Sequence, residues 1–198
     1  MLKRFCVSGL SELAAALFFA SSGAHAATLN VVDGQLLGAS GVDVVGTLYD
    51  VEFRDGTCIA LFSGCNSAAD FTFDFRTASL ASQALLDQVF LDGGFGAFDT
   101  TPEISVGCTD TSMCIIGTPH GLSDLYVLVI AAFNLSDAND LGATTGALFT
   151  TIDTTQEPAF AFAVWIPVPE PCTGLLMVLG LLLTGVRMRR NRTRLRLR

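Results

Sequence analysis

Positive charge is almost missing from the middle of this chain. Of 11 Lys and Arg in 198 residues, Lys3 and Arg4 stand at the start. Arg187, Arg189, Arg190, Arg192, Arg194, Arg196 and Arg198 crowd the end, and only Arg54 and Arg76 lie between. Residues 27–168 therefore set 17 Asp and Glu against two Arg, a net charge of −15. Such a body offers phosphate no basic face, which excludes a nucleic-acid binder. Charge of either sign is scarce at 15% of residues, while 51% are hydrophobic, which excludes an acidic disordered tail protein. Histidine is scarcer still: beyond residue 26 there is only His120, which between Pro119 and Gly121 reads as a turn residue. Gly-x-Ser-x-Gly, the phosphate loop and His-Glu-x-x-His are all absent. A Cys–His nucleophile pair needs an unpaired cysteine, and the even cysteine count of the body disfavours one. No unit of 20–50 residues repeats, so a solenoid is not expected. The sequence thus names no catalytic residue, no cofactor and no metal site.

What is present is concentrated first at the two ends. Met1–Arg4 is a short positive region, Leu13–Ala20 (LAAALFFA) is apolar, and Ala24-His25-Ala26 places small residues at the −3 and −1 positions of a cleavage site. That order is a secretory signal peptide over residues 1–26, with Ala24, Ala26 and Ala27 defining the cut and Ala27 opening the mature chain. Glu12 falls before the strongest apolar stretch and so leaves it intact. At the other end, prolines at 167, 169 and 171 break any incoming strand or helix. Residues 173–186 carry no charge, and seven of the last twelve residues are Arg. As a helix, 14 residues span about 21 Å, short of the roughly 30 Å hydrocarbon core. Arg side chains can snorkel from so short a span, and positive charge marks the cytoplasmic side. Arg187, Arg189 and Arg190 are the expected cytoplasmic anchor, with the body outside and the membrane helix a temporary hold.

Val168-Pro169-Glu170-Pro171, the apolar span and the Arg-rich end together resemble the PEP-CTERM sorting signal of exported proteins in Gram-negative bacteria. The resemblance covers residues 167–198, with the motif at 169–171, the transmembrane segment at 173–186 and the Arg-rich tail at 187–198. It implies processing by exosortase, a multi-spanning membrane protein with a Cys-dependent transpeptidase-like site, and a link to exopolysaccharide or biofilm. Cys172 departs from the Ser, Ala or Thr more usual there. The body segments GTLYDVEFRDGTC and ALLDQVFLD, with Thr118-Pro119-His120-Gly121, resemble ectodomains of other PEP-CTERM proteins and bring no active site with them.

Between the ends lie about 140 residues, enough for one domain with a core of its own. Short apolar runs separated by turn residues mark strands at Leu29–Val32, Gln35–Leu37, Val42–Val45 and Leu48–Arg54. Asp70–Phe75 (DFTFDF) alternates and reads as a further strand with Phe71, Phe73 and Phe75 on one face. Leu125–Phe133 is a continuous apolar run, the pattern of a strand buried on both faces. Ala159–Ile166 closes the domain. Ser79–Leu91 has helical period, with Thr77 or Ser79 as cap and Gly93-Gly94 as stop. The expected class is α+β: a mainly antiparallel sheet over residues 27–166 with one covering helix, flanked by the signal peptide and a single C-terminal transmembrane helix.

Four cysteines remain in the body: Cys58, Cys65, Cys108 and Cys114. An exported chain with an even count implies disulfides, and four cysteines allow three pairings. Each adjacent pair brackets a turn-rich loop, which favours Cys58–Cys65 and Cys108–Cys114, each contributing about 2.5 kcal/mol by loop entropy. The alternative is a four-cysteine zinc site, whose spacings here are wider than those of zinc knuckles. Asp137, Asn139 and Gly142 match three positions of a calcium loop, but Leu141 and Leu148 stand where oxygen ligands belong, so a surface turn is expected. Asn134-Leu135-Ser136 is a glycosylation sequon by letters, abutting a buried run. The expected function is an exported, non-enzymatic envelope or matrix protein. Its partners would be the Sec machinery, signal peptidase, exosortase, transiently the inner membrane, and exopolysaccharide. The rival readings are a carbohydrate- or calcium-binding matrix module and a secreted hydrolase working through two carboxylates.

Overall fold

The computed structural model describes residues 26–137 and 139–169. The signal peptide except Ala26, and Glu170, Pro171, Cys172, the 173–186 segment and the Arg-rich tail, lie outside the described residues. Among those described, no helix is long and apolar enough to cross a membrane.

The strands are β1 (Thr28–Val32), β2 (Gln35–Val44), β3 (Thr47–Arg54), the two-residue β4 (Asp92–Gly93) and β5 (Gly96–Ala97), β6 (Met113–Ser123), β7 (Tyr126–Leu135), β8 (Leu141–Phe149) and β9 (Phe160–Pro167). The helices are a single turn, α1 (Cys58–Leu61), and α2 (Phe75–Gln88). Seven strands form one sheet in the order β1-β2-β3-β9-β6-β7-β8; β4 and β5 make a separate hairpin. All neighbours in the large sheet are antiparallel except β6 and β9. The body is therefore α+β, mostly antiparallel sheet with one main helix.

Local chemistry explains the joints. Asp33 (φ 51°) and Gly34 (φ 82°) make the two-residue β1–β2 turn, where both positions need the left-handed region that Asp-Gly tolerates. β2 is one strand of ten residues, where the sequence pattern suggests separate runs at 35–37 and 42–45. A register shift between Ala39 and Val42 divides the apolar pattern without ending the strand.

The DFTFDF segment is not a strand. Ser67 and Asp70 form a capping box around a 3-10 turn, and Asp74 caps α2 by accepting the Thr77 amide at 2.8 Å. Phe71 and Phe73 are both buried, but in two different cores, and Phe75 is 55% exposed. The chain here passes from one face of the sheet to the other, which in sequence mimics a one-faced strand. In consequence α2 begins four residues before the expected Ser79, and Thr77 supplies an amide to the cap rather than a capping hydroxyl. The Gly93-Gly94 expected to stop the helix belongs to the β4–β5 hairpin.

Two strands of the large sheet escape the sequence pattern. β6 contains Gly117, Pro119 and Gly121, all strand breakers by type. Pro119 is tolerated because β6 pairs with β9 only from Ile115 to Gly117, and a register shift comes between Pro119 and Gly121. His120 consequently sits in a strand at that irregularity, not in a turn. β8 alternates too weakly to be read, because it is an edge strand with mostly exposed positions.

Each face of the sheet carries its own core. On one face α2 packs Ala78, Ala81 and Leu85, with Val89 at its C-cap, over Leu36, Val51, Phe53, Ile116, Ile130 and Trp165. Phe53 stacks on Phe90 at 5.4 Å, and Trp165 meets Phe73 and Tyr49 edge to face at 5.4 and 6.2 Å. On the other face Phe62 of the Cys58–Cys65 loop and Phe71 beyond it pack against Val127, Val129 and Phe162. β7 is thus buried on both sides, as its unbroken apolar run requires. Among the described residues, both cores are built from the stretch between Ala27 and Trp165.

Candidate functional site

Both cysteine pairs are disulfides. Cys58 is bonded to Cys65 and Cys108 to Cys114, with Cα atoms 5.7 and 5.5 Å apart. All four cysteines are buried, the first pair in the core beneath its own loop and the second in the core beneath α2. Their thiols are fully spent on each other, leaving none for a zinc site or a Cys–His pair. Among the described residues no three His, Cys, Asp or Glu side chains are placed to hold a metal ion.

The calcium-like segment is a connection between β7 and β8. Asp140 accepts the Leu135 amide at 2.9 Å, and Leu141 already begins β8. Burial, with the Asp99 charge nearby, raises the Asp140 carboxyl above its ordinary 3.8, against the lowering effect of the Leu135 amide. Asn134 of the sequon is fully buried and donates from Nδ2 to the Phe98 carbonyl at 2.7 Å, so it is inaccessible to a glycosyltransferase.

His120 packs against Phe75, ring edge to face at 5.3 Å. Desolvation holds it below its ordinary 6.5, although the Asp74 charge works the other way. Its Nε2 is buried with no hydrogen-bond partner among the described residues. Asp55 is the second carboxyl pushed upward, again mainly by burial, with Asp153 reinforcing and the Thr154 hydroxyl opposing. Thr154 Oγ1 donates to Asp55 at 3.2 Å and also accepts the Gly56 amide at 3.0 Å. That arrangement ties the end of β3 to the crossover before β9, a structural clamp.

Two concave surfaces stand out among the described residues: a polar one at Asp99, Thr100, Leu135, Ser136, Asp137 and Asn139, and an apolar one. The latter, an open groove of about 480 Å³, runs beside the end of β8, where Tyr126, Leu148, Phe149, Ile152 and Phe160 line it with Glu157. Tyr126 and Phe149 form a cross-strand pair with ring centroids 4.5 Å apart, 39% and 48% exposed. Sequence reasoning misses this feature, since β8 carries no readable pattern and the lining residues come from three separate segments.

The ends of the body are placed by register. Leu29 pairs with Ala39, Ala39 with Val51, and Val51 with Trp165, so the four form one row across the sheet. β1 starts just before that row and β9 ends just after it, running the opposite way. Both ends of the body therefore leave from the same end of the sheet, about 14 Å apart at three strand spacings. Ala26 is exposed and Ala27 packs against the core. Val168 donates its amide to Leu48 at 3.0 Å, and Pro169 beyond it is exposed. Ala24, Glu170, Pro171, Arg187, Arg189 and Arg190 lie outside the described residues.

No family model matches the chain, and neither curated proteins nor solved structures give a match.

Proposed function

We propose that the chain is an exported envelope or matrix protein, held briefly in the inner membrane by its C-terminal segment and released outward by a PEP-CTERM-type sorting step. The observation that carries the reading is the order Pro169-Glu170-Pro171, uncharged 173–186 and Arg-rich 187–198 directly after the end of β9. Three structural features support it. Both ends of the body leave together, so a signal peptide and a C-terminal anchor can reach one membrane without threading past the sheet. Val168 is the last described residue to bond to the sheet, and Pro169 after it is exposed, as access by a membrane-embedded protease requires. Two disulfides suit an oxidising compartment outside the cytoplasm. The test is the C-terminal peptide of the mature extracellular protein. It should end near Pro171, and replacing Glu170 with both flanking prolines should leave an uncut precursor. A mature protein that still carries Arg198 would overturn the proposal and make the tail a permanent anchor.

The second reading, a carbohydrate-binding module, is favoured by the exposed Tyr126–Phe149 pair in an apolar groove with one carboxylate, because sugar rings stack on aromatic faces. Pull-down with purified exopolysaccharide tests it: binding should fall when Tyr126 is changed to Ala, and absence of binding by the unaltered body removes it.

A further inference from the structure

The sheet has two edges, and they differ. β1 offers five residues with a register shift between Asn30 and Val31. β8 offers nine, Leu-Gly-Ala-Thr-Thr-Gly-Ala-Leu-Phe, with no charge and no proline. One flank of β8 is paired to β7, and the other has no strand beside it among the described residues. On a body of net charge −15 such an edge is exceptional, because charge and proline are the usual guards against edge pairing. Half-exposed apolar side chains stand at its two ends, Leu141 at 54% and Phe149 at 48%.

We propose that β8 is a homodimer interface, pairing antiparallel with β8 of a second copy across a twofold axis at Thr145 to give one continuous fourteen-stranded sheet. The strand is self-complementary in that register. Thr145 faces its own mate, a favourable cross-strand pair, and Thr144 faces Gly146. The irregularity at the start of β8 completes the match. Ala131 pairs with Thr144 but Phe133 with Leu141, so Gly142 and Ala143 together oppose Ala132, with Ala143 in the left-handed region at φ 55°. Those two small residues then oppose Ala147 of the second copy, which sets Leu141 opposite the partner's Leu148. Leu141 pairs with Phe133 and Leu148 with Val127, so both lie on the sheet face away from α2. The opposed leucines therefore meet on the same side. The partner's strand also covers the β8 side of the apolar groove that Leu148 and Phe149 line. The contact is apolar and backbone-driven while the two bodies repel, so the dimer tightens as salt rises, opposite to a charge-driven complex.

The test is sedimentation equilibrium of the full chain, in mild detergent, over a range of salt. A monomer–dimer equilibrium that strengthens with ionic strength is expected. Thr145→Asp sets two like charges on the axis and should weaken association at least about tenfold, with the thermal midpoint of the monomer unchanged. Thr145→Cys should form a disulfide-linked dimer on mild oxidation, whereas Thr28→Cys on the β1 edge should not. Four outcomes overturn the proposal: a monomer at every salt and concentration, a dimer indifferent to Thr145→Asp, a Thr145→Cys variant that stays monomeric on oxidation, or β8 amides protected from exchange only by an added foreign peptide. None of these bears on C-terminal processing, so the sorting proposal stands or falls separately.

Discussion

Trp165 is the only tryptophan of the chain and is buried where β6 and β9 part. Its indole N–H donates to Thr118 Oγ1 at 3.2 Å, and its carbonyl accepts from Thr72 Oγ1 at 2.8 Å. Thr118 is itself fully buried. Replacing it with Val keeps the shape but leaves a buried donor unmet, so Thr118→Val should cost about 1–3 kcal/mol in urea unfolding followed by Trp165 fluorescence. His120, two residues on, predicts a pH dependence. Its folded pKa lies below 6.5, so the unfolded chain takes up the proton first. Stability is present above that value and declines as pH falls through the lowered folded pKa. His120→Phe should flatten the stability curve as pH falls below 6.5. Asp55 and Asp140 act in the opposite sense: with raised folded pKa values, they lose stability as pH rises through those values, so the comparison belongs above their range. Neither effect is legible in the sequence, where Thr118-Pro119-His120-Gly121 has the composition of a turn.

Among the elements, β2 has the tightest backbone approach. Gly38 has φ 141°, and a Cβ there would run into the carbonyl of Val51 on β3. A backbone atom cannot swing aside as a side chain can, so Gly38→Ala should destabilise by about 2–3 kcal/mol or abolish folding. Thermal melts of the variant beside Gly34→Ala, which meets no neighbouring atom, separate the clash from the loss of positive φ. The α1 loop gives a second prediction. The Cys58–Cys65 bond closes a short loop whose Phe62 packs with Phe71, from beyond the loop, in the second core. Changing both cysteines to Ala should lower stability by about 2.5 kcal/mol from loop entropy, and more if Phe62 lifts off Phe162. Non-reducing mass mapping with chemical denaturation checks both parts.

For the whole molecule, charge is the governing quantity. The net −15 of residues 27–168 is relieved at few points: among the described residues Arg54 pairs with Glu52 at 3.3 Å, and that pair is half exposed. The body should therefore leave phosphatidylglycerol vesicles and duplex DNA unbound even at low salt, as vesicle sedimentation and gel shift can show. Tight, salt-sensitive binding to either would contradict it.

Periodicity alone determined several elements: β3 from the alternation of Tyr49, Val51 and Phe53 against Asp50, Glu52 and Arg54, β7 from its unbroken apolar run, and α2 from the 3–4 spacing of Leu85, Leu86, Val89 and Phe90. Cysteine spacing likewise pointed to the local disulfides, because each pair brackets its own turn. These signals are local, and local sequence carries them. The tertiary structure alone decided where Phe71 and Phe73 go. Alternation says that two side chains point apart or together, but not that a segment leaves one core for another with no strand beside it to pair. It alone admitted β6, since a proline is harmful only where a neighbour needs its amide, and β9 has turned away by Pro119. It alone made β8 an edge, a property of strand order that no residue of β8 encodes. The groove beside β8, assembled from segments far apart in the chain, arises from that same long-range order.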